Sequence, residues 1–354
     1  MYRIAAVGTG YFARNHYEAW NRIDSVQIAA LCDTDIEKAE QCAKDFGVPK
    51  VYKQVSQMLD EIQPDILDII SPSKTHLQYV KEAAKRGINI ICQKPLSPSF
   101  AEARELIGKA EDSGILLVIH ENFRFMPWFR KSKEFIKQGH LGDIHNILFR
   151  FRPGDGQGPG AYLDRQPYFQ KLNRFLIHET GIHFIDTFRY LCGEVKSVYA
   201  YLRQINPVIT GEDAGYVIFE FENGSSGLFD GSRLNDHVAD YCRLTFGEMF
   251  LEGSLGVLRL DGYGRLWWKP HGQSETELAY EWNNMNFSGD CVYGLLSHVM
   301  NHLEQGTGIE NAGRDYLANL YVEEAIYHSN EKKKQVQLND FIDSLTNQDS
   351  SNSG

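Results

Sequence analysis

The stretch that most limits what this chain can fold into is its first seventeen residues. Tyr2 to Val7 reads as a short buried strand, and Gly8-Thr-Gly10-Tyr-Phe-Ala13 comes at once after it. Beyond it, Tyr17, Trp20 and Ile23 recur at helical spacing. A G-x-G-x-x-A segment between a strand and a helix is a dinucleotide-binding turn. Gly8 permits the tight turn, Gly10 lets backbone approach a pyrophosphate, and Ala13 keeps the helix against the sheet. The helix then presents free N–H groups and the positive end of its dipole to the phosphates.

The next hundred or so residues keep to one plan. The strand Gln27–Cys32 ends in Asp33, about twenty residues past the glycines, where this turn wants an acid for the ribose hydroxyls. Asp33 and Asp35 with no adjacent Arg would repel a 2′-phosphate, which favours NAD over NADP. Asp35 also suits the N-cap of a helix over 36–46. A helix over 55–62, a strand over 66–70, a helix over 75–86, a strand over 88–91, a helix over 99–111 and a strand over 115–119 continue the alternation. Strands and helices in turn predict a doubly wound parallel sheet.

Two loops at strand carboxyl ends carry chemistry. Ser71-Pro-Ser-Lys-Thr-His76 offers Ser71 or Ser73 to a cofactor, while His76 can cap or pack. In Gln93-Lys94-Pro95 a lone cation is presented where the chain must turn, and open α/β sheets bind ligands at such ends. An unpaired buried ammonium would be costly filler.

A chain of 354 residues implies two domains. A net charge of −11 argues against a nucleic-acid partner, since such proteins carry a basic face. No run approaches the length of a membrane span, and Met1 leads so soon into a strand that a signal peptide has no room. The six cysteines lack disulfide or metal spacing and fit buried thiols in a reducing cytoplasm.

From Ile144 the pattern changes to strands without intervening helices: 144–152, 195–202, 214–221, 226–231, 242–246, 249–252, 257–260 and 266–268. This predicts a large, mostly antiparallel, half-exposed sheet, and its aromatic surface suits a homodimer or homotetramer. Helices are expected over 292–303 and 312–327. The expected domains are 1–122, binding the dinucleotide, and 123–340, binding substrate and building the oligomer. The remainder, 341–354, has nothing to bury and reads as disordered.

Within the second part, Pro153–Gly160 is rich in glycine and reads as a mobile lid, with Arg152, Asp155, Arg165 and Gln166 as candidate binders of hydroxyls or carboxylates. Asn122 and Arg124 lie at the crossover between domains. The stretch Phe175-Leu-Ile-His178-Glu179-Thr-Gly181-Ile-His183-Phe-Ile-Asp186 reads as a buried helix. Glu179 and His183, four apart, share a helix face. A carboxylate beside an imidazole raises its basicity and sets its tautomer, as a general base requires. Asp186 is placed to orient His183 as well. His178 and His183, five apart with no third ligand, do not make a metal site.

The ordered set Gly8-x-Gly10-x-x-Ala13, Asp33, Ser71-Pro72-x-x-x-His76, Gln93-Lys94-Pro95 and Glu179-x-Gly181-x-His183-x-x-Asp186 resembles the Gfo/Idh/MocA oxidoreductases over residues 1 to 330. The family usually has Glu-Lys-Pro and Asp-x-Gly-x-His, so Gln93 and Glu179 are departures. Cys-Gln-Lys-Pro with His-Glu-Asn-x-Arg and Gln-Pro-Tyr-Phe169 is similar to a branch containing D-apiose dehydrogenase. The resemblance implies a cis Lys94–Pro95 bond and NAD contacts from Gly8, Gly10, Tyr11, Phe12, Asp33, Ser71, Pro72, His76, Gln93 and Lys94. It implies substrate contacts from Lys94, Asn122, Arg124, Glu179 and His183, which Arg152 and Gln166 would supplement. Catalysis would fall to Lys94, His183 and Glu179.

The expected activity is hydride transfer between NAD and a carbinol carbon of a sugar or cyclitol, with aldose to lactone favoured. An NAD-dependent glycoside hydrolase of the same fold and a non-catalytic NAD-binding sugar sensor are the alternatives.

Overall fold

The computed structural model describes residues 1–352, with side chains to 345. The chain divides into two compact units, Met1–Asn122 with Asp290–Ala318, and Phe123–Gly289 with Asn319 onward.

The first unit is a six-stranded parallel sheet in the order β3-β2-β1-β4-β5-β6. Its strands are β1 (Tyr2–Val7), β2 (Val26–Cys32), β3 (Val51–Tyr52), β4 (Ile66–Ile69), β5 (Asn89–Gln93) and β6 (Leu117–His120). Helices α1 (Ala13–Trp20), α2 (Ile36–Phe46), α3 (Val55–Ile62), α4 (His76–Ala84) and α5 (Phe100–Asp112) connect them. Burial on both faces is why β1 and β2 end in the unbroken apolar runs Ile4–Val7 and Ile28–Cys32 instead of alternating. The side chain of Asp35 accepts from the Lys38 N–H and starts α2, as its position before an amphipathic run requires. Strand β5 extends two residues beyond the expected end, so Lys94 stands directly at its carboxyl terminus.

In the second unit, α6 (Pro127–Lys137) precedes a nine-stranded sheet in the order β14-β13-β12-β11-β7-β10-β9-β8-β15. These strands are β7 (Ile144–Phe151), β8 (Val195–Arg203), β9 (Ala214–Phe221), β10 (Ser226–Ser232), β11 (Gly247–Gly253), β12 (Gly256–Leu260), β13 (Leu266–Pro270), β14 (Thr276–Leu278) and β15 (Val336–Gln337). Neighbours are antiparallel except β7 and β10, which run parallel, so the sheet is mixed. Helix α7 (Ile182–Cys192) covers its inner face, where Phe184 meets Phe149 and Phe229. The other face leaves Tyr199, Tyr201, Tyr216 and Ile218 exposed on β8 and β9.

Three expectations give way. Residues 242–246 form a turn and not a strand: Leu244 donates to the Tyr241 carbonyl, and Phe246 takes a φ of 61° that no extended residue adopts. Alternating Cys242, Leu244 and Phe246 imitated a strand. Residues 290–318, read with the second domain, belong to the first unit. There Arg22 grips Asp290 with two bonds of 2.7 and 2.5 Å, Ile119 donates to the Asn311 carbonyl, and Val118 bridges to Ala312. Helix α8 (Cys291–Gln305) lies in this segment, and α9 (Gly313–Lys332) begins there. Finally, α10 (Leu338–Asn352) is helical where disorder was expected from residue 341; it is seated by buried Leu338 and by Phe341 against His328. Ser353 and Gly354 lie outside the described residues.

Among the described residues no helix is long and apolar enough to cross a membrane. All six cysteines are free thiols, and five are buried.

Candidate active site

The glycine turn after β1 is built as its sequence demands. Gly8 has a φ of +106°, and a Cβ there would stand 2.8 Å from the Ile70 carbonyl oxygen, so no other residue fits. The Gly8 N–H reaches the Cys32 carbonyl, and the Gly8 carbonyl accepts the Tyr17 hydroxyl. Gly10 is the reverse case: a Cβ would meet nothing within 4 Å, which leaves open space above the backbone. The first turn of α1 has no side-chain cap, so its N–H groups suit an anion. Tyr11 is exposed beside this space. Phe12 packs its ring edge against His16 and His120 and so forms the floor of the turn.

Asp33 binds the turn to the end of β2. One carboxylate oxygen accepts both the N–H and the hydroxyl of Thr9, each at 2.8 Å, and the other accepts the Asp35 N–H at 3.0 Å. The half-buried carboxylate therefore arrives already oriented. A dinucleotide fits this set, with an uncapped helix end, an open glycine and a fixed acid.

The loop after β4 is held from within. Ser71 bonds the Thr75 hydroxyl at 2.7 Å, and Pro72 is exposed. His76 is buried and spans two loops, its ring nitrogens 2.8 Å from the Ser71 carbonyl and 3.0 Å from the Leu96 carbonyl. It is a tie between the two strand ends. Burial holds its imidazole below the ordinary value, against the pull of both carbonyls.

Lys94 is half-buried, and its peptide bond to Pro95 is cis. Its N–H donates to the Gln93 side-chain oxygen at 2.8 Å, while the Gln93 amide nitrogen lies 3.1 Å from His16 and 3.4 Å from His120. Asn122 is buried and donates to the Cys291 sulfur at 3.1 Å.

In the second unit the expected single helix is two. Leu176–Gly181 is a π-turn that passes into α7. The four-residue spacing that puts Glu179 and His183 on one face of an α-helix therefore runs through a wider turn. Such turns are rare and recur at functional sites. Buried groups clamp this one. Glu212 accepts the N–H groups of Phe175 and Ile177 and the Tyr327 hydroxyl, and Tyr327 in turn accepts the His178 N–H. Burial pushes the Glu212 carboxyl up, against these bonds. Glu323 pairs with the His178 ring at 2.7 Å, and Arg233 donates to the Thr180 hydroxyl at 2.7 Å. Glu179 is 7% exposed within this frame.

His183 is 4% exposed and lies flat on Phe123. Asp186, expected to orient it, holds Arg124 with two bonds of 2.7 and 2.6 Å and accepts a third from Asn319. The physical reason is burial: a fully buried carboxylate is stable beside a bidentate guanidinium. Arg124 is therefore a structural partner of α7 and also stacks over Tyr190.

Other candidates are likewise engaged. Arg152 spends its guanidinium on the Phe151 carbonyl and on the carbonyl and carboxylate of Asp230. Asp155 is shared by Arg165 and the buried Arg233, which also bonds Tyr162 and lies over Phe175. Gln166 accepts from Arg165 and donates to the exposed Tyr168. The glycine-rich loop is fastened, with Asn206 donating to the carbonyls of Gly156 and Gly158, so its composition alone did not make it a free lid.

Sequence reasoning missed Arg233, Glu212, Glu323 and Tyr327, which no local pattern marked. It also missed Asp68, although an acid inside the apolar run Ile66–Ile70 was a legible signal. Among the described residues no cluster of potential ligands could hold a metal ion.

Residues 2–120 match the family described as an oxidoreductase family with an NAD-binding Rossmann fold, and residues 129–259 match the GFO/IDH/MocA C-terminal domain. A D-apiose dehydrogenase of Paraburkholderia graminis is 30% identical over 95% of this chain and 90% of its own. The chain belongs to the Gfo/Idh/MocA oxidoreductase family. A myo-inositol 2-dehydrogenase of Thermotoga maritima is 27% identical over 65% of this chain and 68% of its own. Among solved structures, an oxidoreductase from Agrobacterium radiobacter in complex with NAD+, L-tartaric acid and magnesium has a TM-score of 0.88. It is 26% identical, covering 96% of this chain and 98% of its own. This Gfo/Idh/MocA member is thus an NAD-binding oxidoreductase.

Proposed function

We propose that this oxidoreductase oxidises a carbinol carbon of a sugar or cyclitol with NAD, an aldose going to its lactone. The observation that supports it most is the pairing of chemistry with similarity. A cation stands at the end of β5 and a buried imidazole in α7, in a chain that matches a D-apiose dehydrogenase over almost its full length.

Bound NAD supplies the hydride acceptor. His183 takes the hydroxyl proton, and Lys94 stabilises the alkoxide as the C–H bond gives up its hydride. Glu179, fixed by the clamped π-turn, accepts a hydrogen bond from a substrate hydroxyl. Asp33 holds the adenosine ribose, and Gly8 and Gly10 admit the pyrophosphate. The substrate contacts expected of Asn122, Arg124 and Arg152 belong to this reading too, alongside the bonds these side chains make to Cys291, Asp186 and Asp230. The exposed Tyr and Ile side chains on β8 and β9 suit self-association through the open sheet, which light scattering on the purified protein would test.

The deciding experiment is an NAD+-reduction screen across pentoses, hexoses, branched sugars and inositols, with product analysis by mass. An aldose lactone is the expected product. NAD that never exchanges while an aglycone is released would instead indicate glycoside hydrolysis, and binding without turnover would indicate a sensor.

A further inference from the structure

Under the glycine turn lies a buried polar chain formed by Asp68, His16, Gln93 and His120, none more than 9% exposed. One Asp68 oxygen lies 2.9 Å from His16 Nδ1 and accepts Trp20 Nε1–H at 2.8 Å. On its far side the His16 ring presents Nε2 to the Gln93 amide nitrogen at 3.1 Å, and that nitrogen also reaches His120 Nδ1 at 3.4 Å. The Gln93 oxygen accepts the Lys94 N–H.

The contact with Lys94 sets the direction of every other bond. A backbone N–H can only donate, so the amide must turn its oxygen to Lys94 and its NH₂ to the two rings. His16 Nε2 must then carry a lone pair, which leaves the proton on Nδ1 for Asp68. An imidazolium would set N–H against NH₂ at 3.1 Å. His120 obeys the same rule: its Nδ1 accepts, so its proton sits on Nε2. The rings overlap with centroids 4.0 Å apart, a spacing that also disfavours two cations.

We propose that Gln93 is the positioning residue for Lys94, and that its neutral amide fixes the Lys94 peptide while holding His16 and His120 as neutral tautomers of opposite sense. Only its consequence for turnover rests on the dehydrogenase reading. A glutamate at this position would also accept from Lys94 N–H, but it would draw a second proton onto His16. Gln93 therefore adds no charge of its own to the layer under Lys94, where a glutamate would add a second carboxylate beside Asp68.

The test is long-range ¹H–¹⁵N imidazole spectroscopy of the full-length protein near neutral pH. His16 should show a bare Nε2 and His120 a bare Nδ1, and Gln93→Glu should protonate both nitrogens of His16. Doubly protonated His16 in the native protein, or an unchanged His16 in Gln93→Glu, overturns the assignment. On a sugar found by the screen, Gln93→Leu should lower kcat roughly tenfold, the scale of one lost hydrogen bond, with Gln93→Glu recovering part of it. Full turnover in Gln93→Leu refutes the positioning role while leaving the dehydrogenase reading standing. If the native protein turns over no sugar, that reading fails and the ring spectra still decide the tautomers.

Discussion

The imidazole of His183 and the ring of Phe123 lie face to face, with centroids 3.8 Å apart and planes 1° from parallel. Phe123 is in turn held by Phe184, Phe246 and Phe287. A ring pressed against a fixed aromatic plane has little rotamer freedom, which is what a proton acceptor of set direction needs. Phe123→Ala should therefore lower kcat by about tenfold or more while leaving the Kd for NADH near its native value; His183→Asn should cost about 10²–10⁴-fold. Steady-state kinetics with fluorescence titration of NADH measures both.

Lys94→Met removes the ammonium and retains much of the stem. Turnover should fall by about 10²–10⁴-fold with NADH still bound, since the proposed nucleotide contacts are those of Gly8, Gly10 and Asp33. Substantial residual turnover would remove Lys94 from the mechanism.

Asp33 accepts from Thr9 and, in the proposed function, also holds the ribose, and its substitution should show both. Asp33→Ser should narrow the NAD over NADP preference by at least roughly tenfold, measured as the ratio of kcat/KM values, because the repulsion of a 2′-phosphate is gone. It should also lower the melting temperature, since the Thr9 N–H and hydroxyl lose their acceptor.

Burial depresses the imidazole of His76 in the folded chain, so the unfolded chain binds its proton more readily. The contribution is complete above the unfolded value of about 6.5 and is lost as pH falls below it. Melting temperature should therefore drop from about pH 7 towards about pH 5.5, less steeply in His76→Asn. A slope identical to the native one would mean that other groups dominate.

Arg233 is 4% exposed and is paired with Asp155. Arg233→Met leaves that half-buried acid with Arg165 as its remaining partner, so the cost should fall below the roughly 3–5 kcal/mol of a fully uncompensated buried charge. Adding Asp155→Asn should restore part of this loss, a coupling that denaturant melts of the four variants would read. Fully additive losses would refute the pairing.

The first unit was legible because its signals are local. A glycine turn between strand and helix, an acid after β2 and the alternation of element types each come from a few adjacent residues, and together they imply the parallel sheet. The cation after β5 was legible for the same reason: an abrupt stop in an apolar run needs no tertiary knowledge. Which polar groups would be available was not legible. Asp186 and Arg124 are 62 positions apart, and Arg233 and Thr180 are 53 apart. Nothing in the string says that these partners meet and so spend each other's hydrogen-bonding capacity. The return of Asp290–Ala318 to the first unit, the π-turn under Glu179 and the tautomers beneath Lys94 were likewise decided by packing. Buried polar groups must find partners, and those partners come from wherever the fold brings them.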